Sequence, residues 1–127
     1  LESNLEAITH TIAQLKKDLH DPNILDLCSD IYYYIKPETK QSNQYIEYRI
    51  LKEVERNFAG NKNITDLFYV QVDIFSKVSY KLLSEKIKEV LKSKKYTIID
   101  SIELYEEDTG YYHKALRFKY SKFKGVI

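Results

Sequence analysis

The stretch that decides the fold is "LFYVQVDIF", Leu67 to Phe75, in which apolar and polar residues alternate. Successive side chains of a β-strand point to opposite faces of the sheet, so this pattern predicts a half-buried strand. One predicted face carries Phe68, Val70, Val72 and Ile74, and the other carries Tyr69, Gln71, Asp73 and Phe75.

A helix and a hairpin are predicted downstream of this strand. Apolar residues recur at helical spacing between Ser79 and Lys94, with lysines at the end where the helix dipole favours cations. The segment from Tyr96 to Tyr120 then indicates two strands around the turn Asp108-Thr109-Gly110. In the second strand, one face is predicted to carry Tyr112, Leu116, Phe118 and Tyr120, and the other His113, Arg117 and Lys119.

Upstream, the pattern predicts a first helix that is capped by Ser3 or Asn4 and ends before Asp21-Pro22. Its apolar stripe is Leu5, Ile8, Ile12, Leu15 and Leu19. The segment Ile24–Cys28 receives no assignment. "DIYYYIKP", residues 30–37, is rich in β-formers and closed by a proline, which favours a short edge strand.

The segment from Gln44 to Phe58 fits both a strand and a helical stripe, so its periodicity leaves the choice open. "AGNKNITD", residues 59–66, is typical of a turn. Few elements alternate in βαβ order. We therefore expect an α+β fold, an antiparallel sheet with two main helices on one face that ends in a β-hairpin.

Composition indicates one folded domain over residues 1–127, since 43% of the residues are hydrophobic and there are only 3 Gly and 2 Pro. The formal net charge of +1 provides no global attraction to nucleic acid or an anionic membrane. Cys28 is the single cysteine, which excludes an intramolecular disulfide. We see neither a secretory pattern nor an apolar run that would cross a bilayer, which predicts a cytoplasmic protein without membrane contact.

Three consecutive acids, Glu106, Glu107 and Asp108, precede the predicted turn and raise the question of catalysis. Catalytic carboxylates need a cleft that desolvates them or opposes them to each other, whereas a hairpin tip leaves them in water. His113 is expected on the polar face beside Arg117 as a solvated side chain. We therefore predict no enzyme activity, no metal site and no cofactor.

Two alternatives remain open at this point. Asp73 and Lys77 invite comparison with metal-dependent nucleases, although the usual Glu-x-Lys on an adjoining strand is not evident. The ending "FKYSKFKGVI", residues 118–127, interleaves lysines with aromatic residues, as in modules that bind single-stranded nucleic acid. The competing interpretation of that ending is a strand end protected by lysines and followed by a loose tail.

Several motifs, in order, resemble those of the tail completion proteins of long-tailed bacteriophages, also called tail terminator or head-to-tail joining proteins. The similar stretch runs from about Asp30 to Tyr120 and includes "IYYYIKP", "VDIFS" at residues 72–76, and the Glu107-Asp108-Thr109-Gly110 turn followed by His113. The first helix and the Ile24–Cys28 segment carry no such signature. The resemblance implies that the ambiguous segment Gln44–Phe58 is a strand.

The resemblance further implies a role without catalysis. Members of this family form a ring of identical subunits, commonly six, that caps the tail tube and then docks on the head connector. The expected partners are therefore further copies of the chain, the tail tube protein and a head completion or connector protein. No sequence-specific nucleic acid is expected. The expected location is the host cytoplasm during assembly and then the head-proximal end of the tail.

Two surfaces are candidates for protein contacts. Exposed aromatic residues on a polar strand face seek a partner, which favours the row Tyr69, Gln71, Asp73 and Phe75 as a subunit interface. The acids Glu106, Glu107 and Asp108 are expected to form a hairpin tip that a basic partner surface would attract.

Overall fold

The computed structural model describes residues 3–57 and 63–126. Its helices are α1 (Asn4–Leu19), α2 (Pro22–Leu25) and α3 (Lys81–Ser93), and its strands are β1 (Ile31–Tyr33), β2 (Gln44–Asn57), β3 (Asn63–Ser76), β4 (Thr97–Glu106) and β5 (Tyr111–Val126). They form one sheet in the order β1-β2-β3-β5-β4. The predicted α+β class is confirmed. The sheet is mixed, because β1 pairs with β2 in parallel while the other pairs are antiparallel.

The core lies between one face of the sheet and the helices α1 and α3. β3 is the central strand, and its apolar row pairs on both sides, with Val72 opposite Tyr48 of β2 and Leu116 of β5. The apolar row predicted for this strand is fully buried, as are Leu15, Leu19, Ile87 and Leu91 of the helices. Both main helices therefore cover the same face, and the opposite face carries the polar row.

Helix α1 begins where predicted, since the Ser3 hydroxyl accepts a hydrogen bond from the backbone N–H of Glu6 at 3.2 Å. Its predicted apolar stripe is wrong in part, because Leu5 is 75% exposed. The buried row is instead Ala7, Thr11, Leu15, Asp18 and Leu19. A step of two residues along an α-helix corresponds to a rotation of about 200°, so Leu5 lies almost opposite Ala7.

The unassigned segment after α1 contains the single turn of α2. The Asp21 carboxylate accepts from the backbone N–H of Asn23 at 2.9 Å, and Pro22 occupies the first turn. Ile24 and Cys28 are buried. Burial raises the pKa of the Cys28 thiol, so this cysteine is a packing residue.

Two sequence interpretations need correction around β3 and β5. Asn63–Asp66 belong to β3 rather than to a turn, because they pair with both β2 and β5; residues 58–62 lie outside the described residues. The loose C-terminal tail is also wrong, since β5 continues to Val126 alongside β3. Gln44–Asn57 form a strand, as the resemblance implied. No helix among the described residues is long and apolar enough to cross a membrane.

Candidate functional site

The sheet face opposite α1 and α3 is the candidate site, and we call it the open face. It carries Tyr45, Glu47 and Arg49 of β2, Tyr69, Gln71, Asp73 and Phe75 of β3, and His113, Ala115 and Arg117 of β5. The loop after β1 folds over one end of it, where the backbone N–H of Lys36 donates to Glu47 at 2.7 Å. Burial raises the pKa of the Glu47 carboxyl, and the nearby Asp73 charge raises it further.

The predicted interface row lies on this face, but its middle is not exposed. Gln71 and Asp73 are each only 5% exposed, whereas Tyr69 and Phe75 are half-buried. The ends of the row are therefore its more accessible part.

A polar network fixes the middle of the open face. The Asp73 carboxylate accepts from the amide of Gln71 at 2.8 Å and lies 2.7 Å from Nε2 of His113. The Gln71 carbonyl oxygen in turn accepts from Nε of Arg117 at 3.1 Å. These bonds join β3 to β5 and satisfy buried polar groups, which stabilises the sheet.

The expectation of a solvated His113 is wrong. Its side chain is 19% exposed and lies between Asp73 and Glu106, whose carboxylate is 3.9 Å from Nδ1. A histidine bonded to an aspartate supplies two of the three members of a catalytic triad. The third member, a nucleophile, is missing, because no hydroxyl or thiol of the described residues is bonded to His113. The His113–Asp73 pair therefore has a structural role, in which it links β5 to β3. Sequence spacing gave no signal for it, because 40 residues separate its members.

Aromatic rings form a ladder across three strands of the open face. His113 stacks on Phe75 with centroids 4.2 Å apart, and Phe75 stacks on Tyr45 at 4.9 Å. Lys36 lies over the ring of Tyr45, and burial raises the pKa of this tyrosine. The bases of single-stranded nucleic acid stack on free aromatic ring faces, whereas the rings of this ladder stack on one another.

The residues on which the nuclease and the nucleic-acid-binding alternatives rest lie apart from one another. Lys77 lies over the ring of Tyr111, and the described residues contain no group of three or more His, Cys, Asp or Glu arranged to hold a metal. At the C-terminus, Lys124 is buried, donates to Asn4 at 2.6 Å and lies 3.8 Å from the buried Asp66. Lys124 is thus a structural residue and takes no part in a basic surface.

The three acids of the hairpin are separated by the fold. Glu106 is the last residue of β4, accepts from the Thr109 hydroxyl at 3.1 Å and approaches His113. Glu107 and Asp108 are exposed in the turn, and we call these two residues the acidic tip. Glu107 and Asp108 are therefore the two most exposed of the three acids.

The sequence interpretation missed an apolar edge. β4 is the last strand of the sheet and is exposed along almost its whole length. Five large apolar side chains on it are between 40% and 55% exposed: Ile98, Ile99, Ile102, Leu104 and Tyr105. Edge strands leave backbone hydrogen-bonding groups free, so an apolar edge of this length is suited to a protein contact.

Comparison with known proteins supports the fold assignment. No protein-family model matches the chain, and no curated protein matches it. Among solved structures, the chain is similar to a protein chain in the virion of a native gene transfer agent particle, with a TM-score of 0.60 and 10% sequence identity. The match covers 87% of this chain and 92% of that chain. At this identity the likeness shows a shared fold.

Proposed function

We propose that this protein is a structural virion protein of a long-tailed phage, in which a ring of six copies caps the tail tube and joins the tail to the head connector. Its partners are then its own copies, the tail tube protein and the connector protein. It assembles in the host cytoplasm and remains at the head-proximal end of the tail. It acts without catalysis.

The observation that carries the proposal is the near full-length likeness to a chain of a virion particle. The match covers 87% of this chain and 92% of that chain, so the likeness extends over most of both chains. The sequence motifs of tail completion proteins point in the same direction. The fold itself supports assembly, since a ring subunit needs a rigid body with separate contact surfaces.

Three surfaces of the described residues fit this role. The apolar β4 edge offers free backbone groups and large apolar side chains. Tyr69 offers an aromatic contact at one end of the open-face row, whereas the Phe75 ring is already stacked on Tyr45 and on His113. The acidic tip offers charge. Heterologous contacts between such different surfaces close into a ring when the rotation per copy allows it.

Removal of the gene from the phage tests the proposal. Without the cap, tail tubes are expected to grow beyond their normal length and to remain separate from filled heads. Supplying the chain from a plasmid is expected to restore joined particles. Electron microscopy of the lysate measures both. Tails of normal length, joined to heads in the absence of the chain, would contradict the proposal.

The nuclease alternative has its own test. Incubation of the purified chain with single- and double-stranded DNA and Mg²⁺ or Mn²⁺ is expected to leave the DNA intact. Cleavage that disappears in a folded Asp73→Ala variant would favour the nuclease and contradict a purely structural role.

A further inference from the structure

A cleft of about 560 Å³ opens between the start of α3 and the β4–β5 hairpin, and we call it the α3 cleft. Tyr80 and Tyr112 line it, with ring centroids 6.5 Å apart. Its two carboxylates already have partners: Glu103 lies 3.8 Å from Lys114, and Glu85 lies 3.4 Å from Lys88. The exposed cations at its rim, Lys77 and Lys81, leave it with a positive character.

Helix α3 begins at this cleft without the usual capping hydrogen bond or acidic residue. Tyr80, at the N-cap position of α3, makes no side-chain cap hydrogen bond, and the first turn contains no acidic residue. The first residue of the helix is Lys81. The first backbone N–H groups of a helix have no partner inside it and carry partial positive charge, so a lysine there is unfavourable unless an anion is bound.

A second, independent feature of the cleft points to the same ligand. Ser84 lines the α3 cleft, is 4% exposed, and its hydroxyl has no hydrogen-bond partner among the described residues. A buried hydroxyl without a partner costs free energy. An anionic oxygen in the cleft would accept from this hydroxyl as well as from the helix N–H groups.

The segment in front of the helix holds the cleft in place. The Ser76 hydroxyl donates to the backbone oxygen of Val78 at 2.6 Å and accepts from the amide of Gln44 at 3.0 Å. The backbone N–H of Lys77 donates to Asn43 at 2.8 Å. Because β2 fixes this segment, the site is formed before any ligand arrives.

The chain itself offers an anion that fits. Glu107 and Asp108 of the acidic tip make no side-chain hydrogen bond or ion pair within the described residues. The tip is a tight turn that the backbone closes: the N–H of Gly110 donates to the backbone oxygen of Glu106 at 2.8 Å, and Gly110 has a φ of +76°. Tip and cleft open on the same end of the sheet, since Ser76 pairs with Tyr112 and Glu106 with Tyr111.

From this complementarity we propose that the α3 cleft of one copy binds the acidic tip of the next copy. The carboxylates of Glu107 or Asp108 accept from the α3 backbone N–H groups and the Ser84 hydroxyl, and Lys77 and Lys81 neutralise their charge. Each copy then gives one tip and receives one. The inference rests on the proposed ring and assigns two surfaces of it.

Disulfide trapping tests the contact. Two variants are made, Leu82→Cys beside the cleft and Thr109→Cys in the tip, which keep every proposed charge. Mixed at high concentration with a mild oxidant, they are expected to form the mixed dimer at least tenfold faster than either variant alone. Wild type is the control, because its buried Cys28 is expected to remain unreactive.

Charge reversal in the trapping variants supplies the sharper test. Lys81→Glu places an acid at the start of α3, which raises the Tm of the isolated chain. It is nevertheless expected to slow trapping at least tenfold. Lys92→Glu, at the other end of the same helix, lowers the Tm and leaves trapping unchanged. Glu107→Gln with Asp108→Asn, which removes the charge of the acidic tip and keeps the size of its side chains, is expected to slow trapping by a similar factor.

The two proposals fail separately. Trapping at equal rates in mixed and single samples, or a Lys81→Glu variant that traps normally, overturns the contact and leaves the tail-capping ring standing. Specific trapping in a protein whose gene is dispensable for tail capping supports the contact and overturns the ring's function.

Discussion

Asp73 is a buried carboxylate on a sheet face that none of the described helices covers. Strand alternation placed it correctly on the polar face, but alternation carries no information about what lies beside a residue on the next strand. Here His113 and Gln71 bond to the carboxylate and close over it. A polar position in a strand can therefore be a structural centre, and only the strand register shows this.

We predict that Asp73→Ala destabilises the chain by about 1–3 kcal/mol, because it leaves buried donors on Gln71 and His113 without their acceptor. Urea unfolding measures the change. The matched control is Asp108→Ala in the acidic tip, expected within about 0.5 kcal/mol of wild type since that side chain is exposed. Equal effects of the two substitutions would show that the network contributes nothing.

Tyr96, the residue before β4, joins the start of this strand to the end of α1. Its buried hydroxyl donates to the buried Asp18 of α1 at 2.8 Å, across 78 residues of sequence. Burial, followed by the bond to Asp18, raises the pKa of the Tyr96 phenol far above its ordinary value. Sequence patterns predicted both elements but not this bond, which depends on how α1 lies on the sheet.

Tyr96→Phe is expected to lower the free energy of unfolding by about 1–3 kcal/mol, because the buried Asp18 loses a donor. Tyr120→Phe is the control: its ring stacks on Tyr96 at 4.6 Å, and its hydroxyl makes no hydrogen bond within the described residues. Chemical denaturation of both variants decides. A loss in Tyr120→Phe as large as that in Tyr96→Phe would contradict this role for the hydroxyl.

Because the pKa values of several tyrosines are raised in the folded chain, we predict that the free energy of unfolding falls at alkaline pH. Burial also raises the pKa of Tyr45 and Tyr80. Above the ordinary tyrosine value of 10.0, the unfolded chain releases protons that the folded chain retains, so stability is full below that pH and falls above it. Wild type should lose stability more steeply than Tyr96→Phe between pH 10 and 11. An equal loss of stability in wild type and Tyr96→Phe over this pH range would contradict the raised pKa of Tyr96.

At the scale of elements, the β4–β5 hairpin is where local sequence was most informative. The turn signal Asp108-Thr109-Gly110 is confirmed, since Gly110 has a φ of +76° that other residues adopt reluctantly. A Cβ at this position would meet nothing within 4 Å, so any cost of replacing the glycine is conformational.

We therefore predict that Gly110→Ala costs about 1 kcal/mol and that Gly110→Asn costs less, because asparagine tolerates the left-handed region. Thermal unfolding of the two variants checks the order. If alanine is tolerated as well as asparagine, the turn has relaxed and the fixed acidic tip is in doubt.

Strong local periodicity predicted β3, α3 and β5 because each has one clearly apolar face, and the turn signal Asp108-Thr109-Gly110 predicted the hairpin. Predictions failed where tertiary contacts decide. The row of α1 residues that faces the sheet begins at Ala7 and includes the polar Thr11, so hydrophobicity alone selected Leu5 wrongly. Asn63–Asp66 form a strand because β2 and β5 extend alongside, despite turn-forming residues.

At the scale of the whole molecule, one sheet face is covered by helices and the other is held by its own polar and aromatic side chains. A second cleft on the open face is lined by Tyr69 together with the exposed Leu51 and Ile99. Lys52, Asp100 and Arg117 complete the lining, and Lys52 lies over the Tyr69 ring, so this is a patch of mixed apolar and charged character at one end of the predicted interface row. Such a patch suits an anchor residue of a neighbouring copy.

Tyr69→Ala is accordingly expected to leave a folded chain and to weaken ring formation on tail tubes at least tenfold. The control is Phe123→Ala, which removes an exposed aromatic side chain from the neighbouring strand β5. Rings are counted on tail ends by negative-stain microscopy. Normal rings in Tyr69→Ala, or equal losses in both variants, would remove this patch from the interface.

The most direct measurement is a cryo-electron microscopy map of the head–tail junction of the phage that encodes this chain. We predict a ring of six copies between the tail tube and the connector, and the sheet and both main helices should fit its density. In that ring, the acidic tip of each copy should lie in the α3 cleft of its neighbour. A junction whose density this fold does not fit would contradict the account.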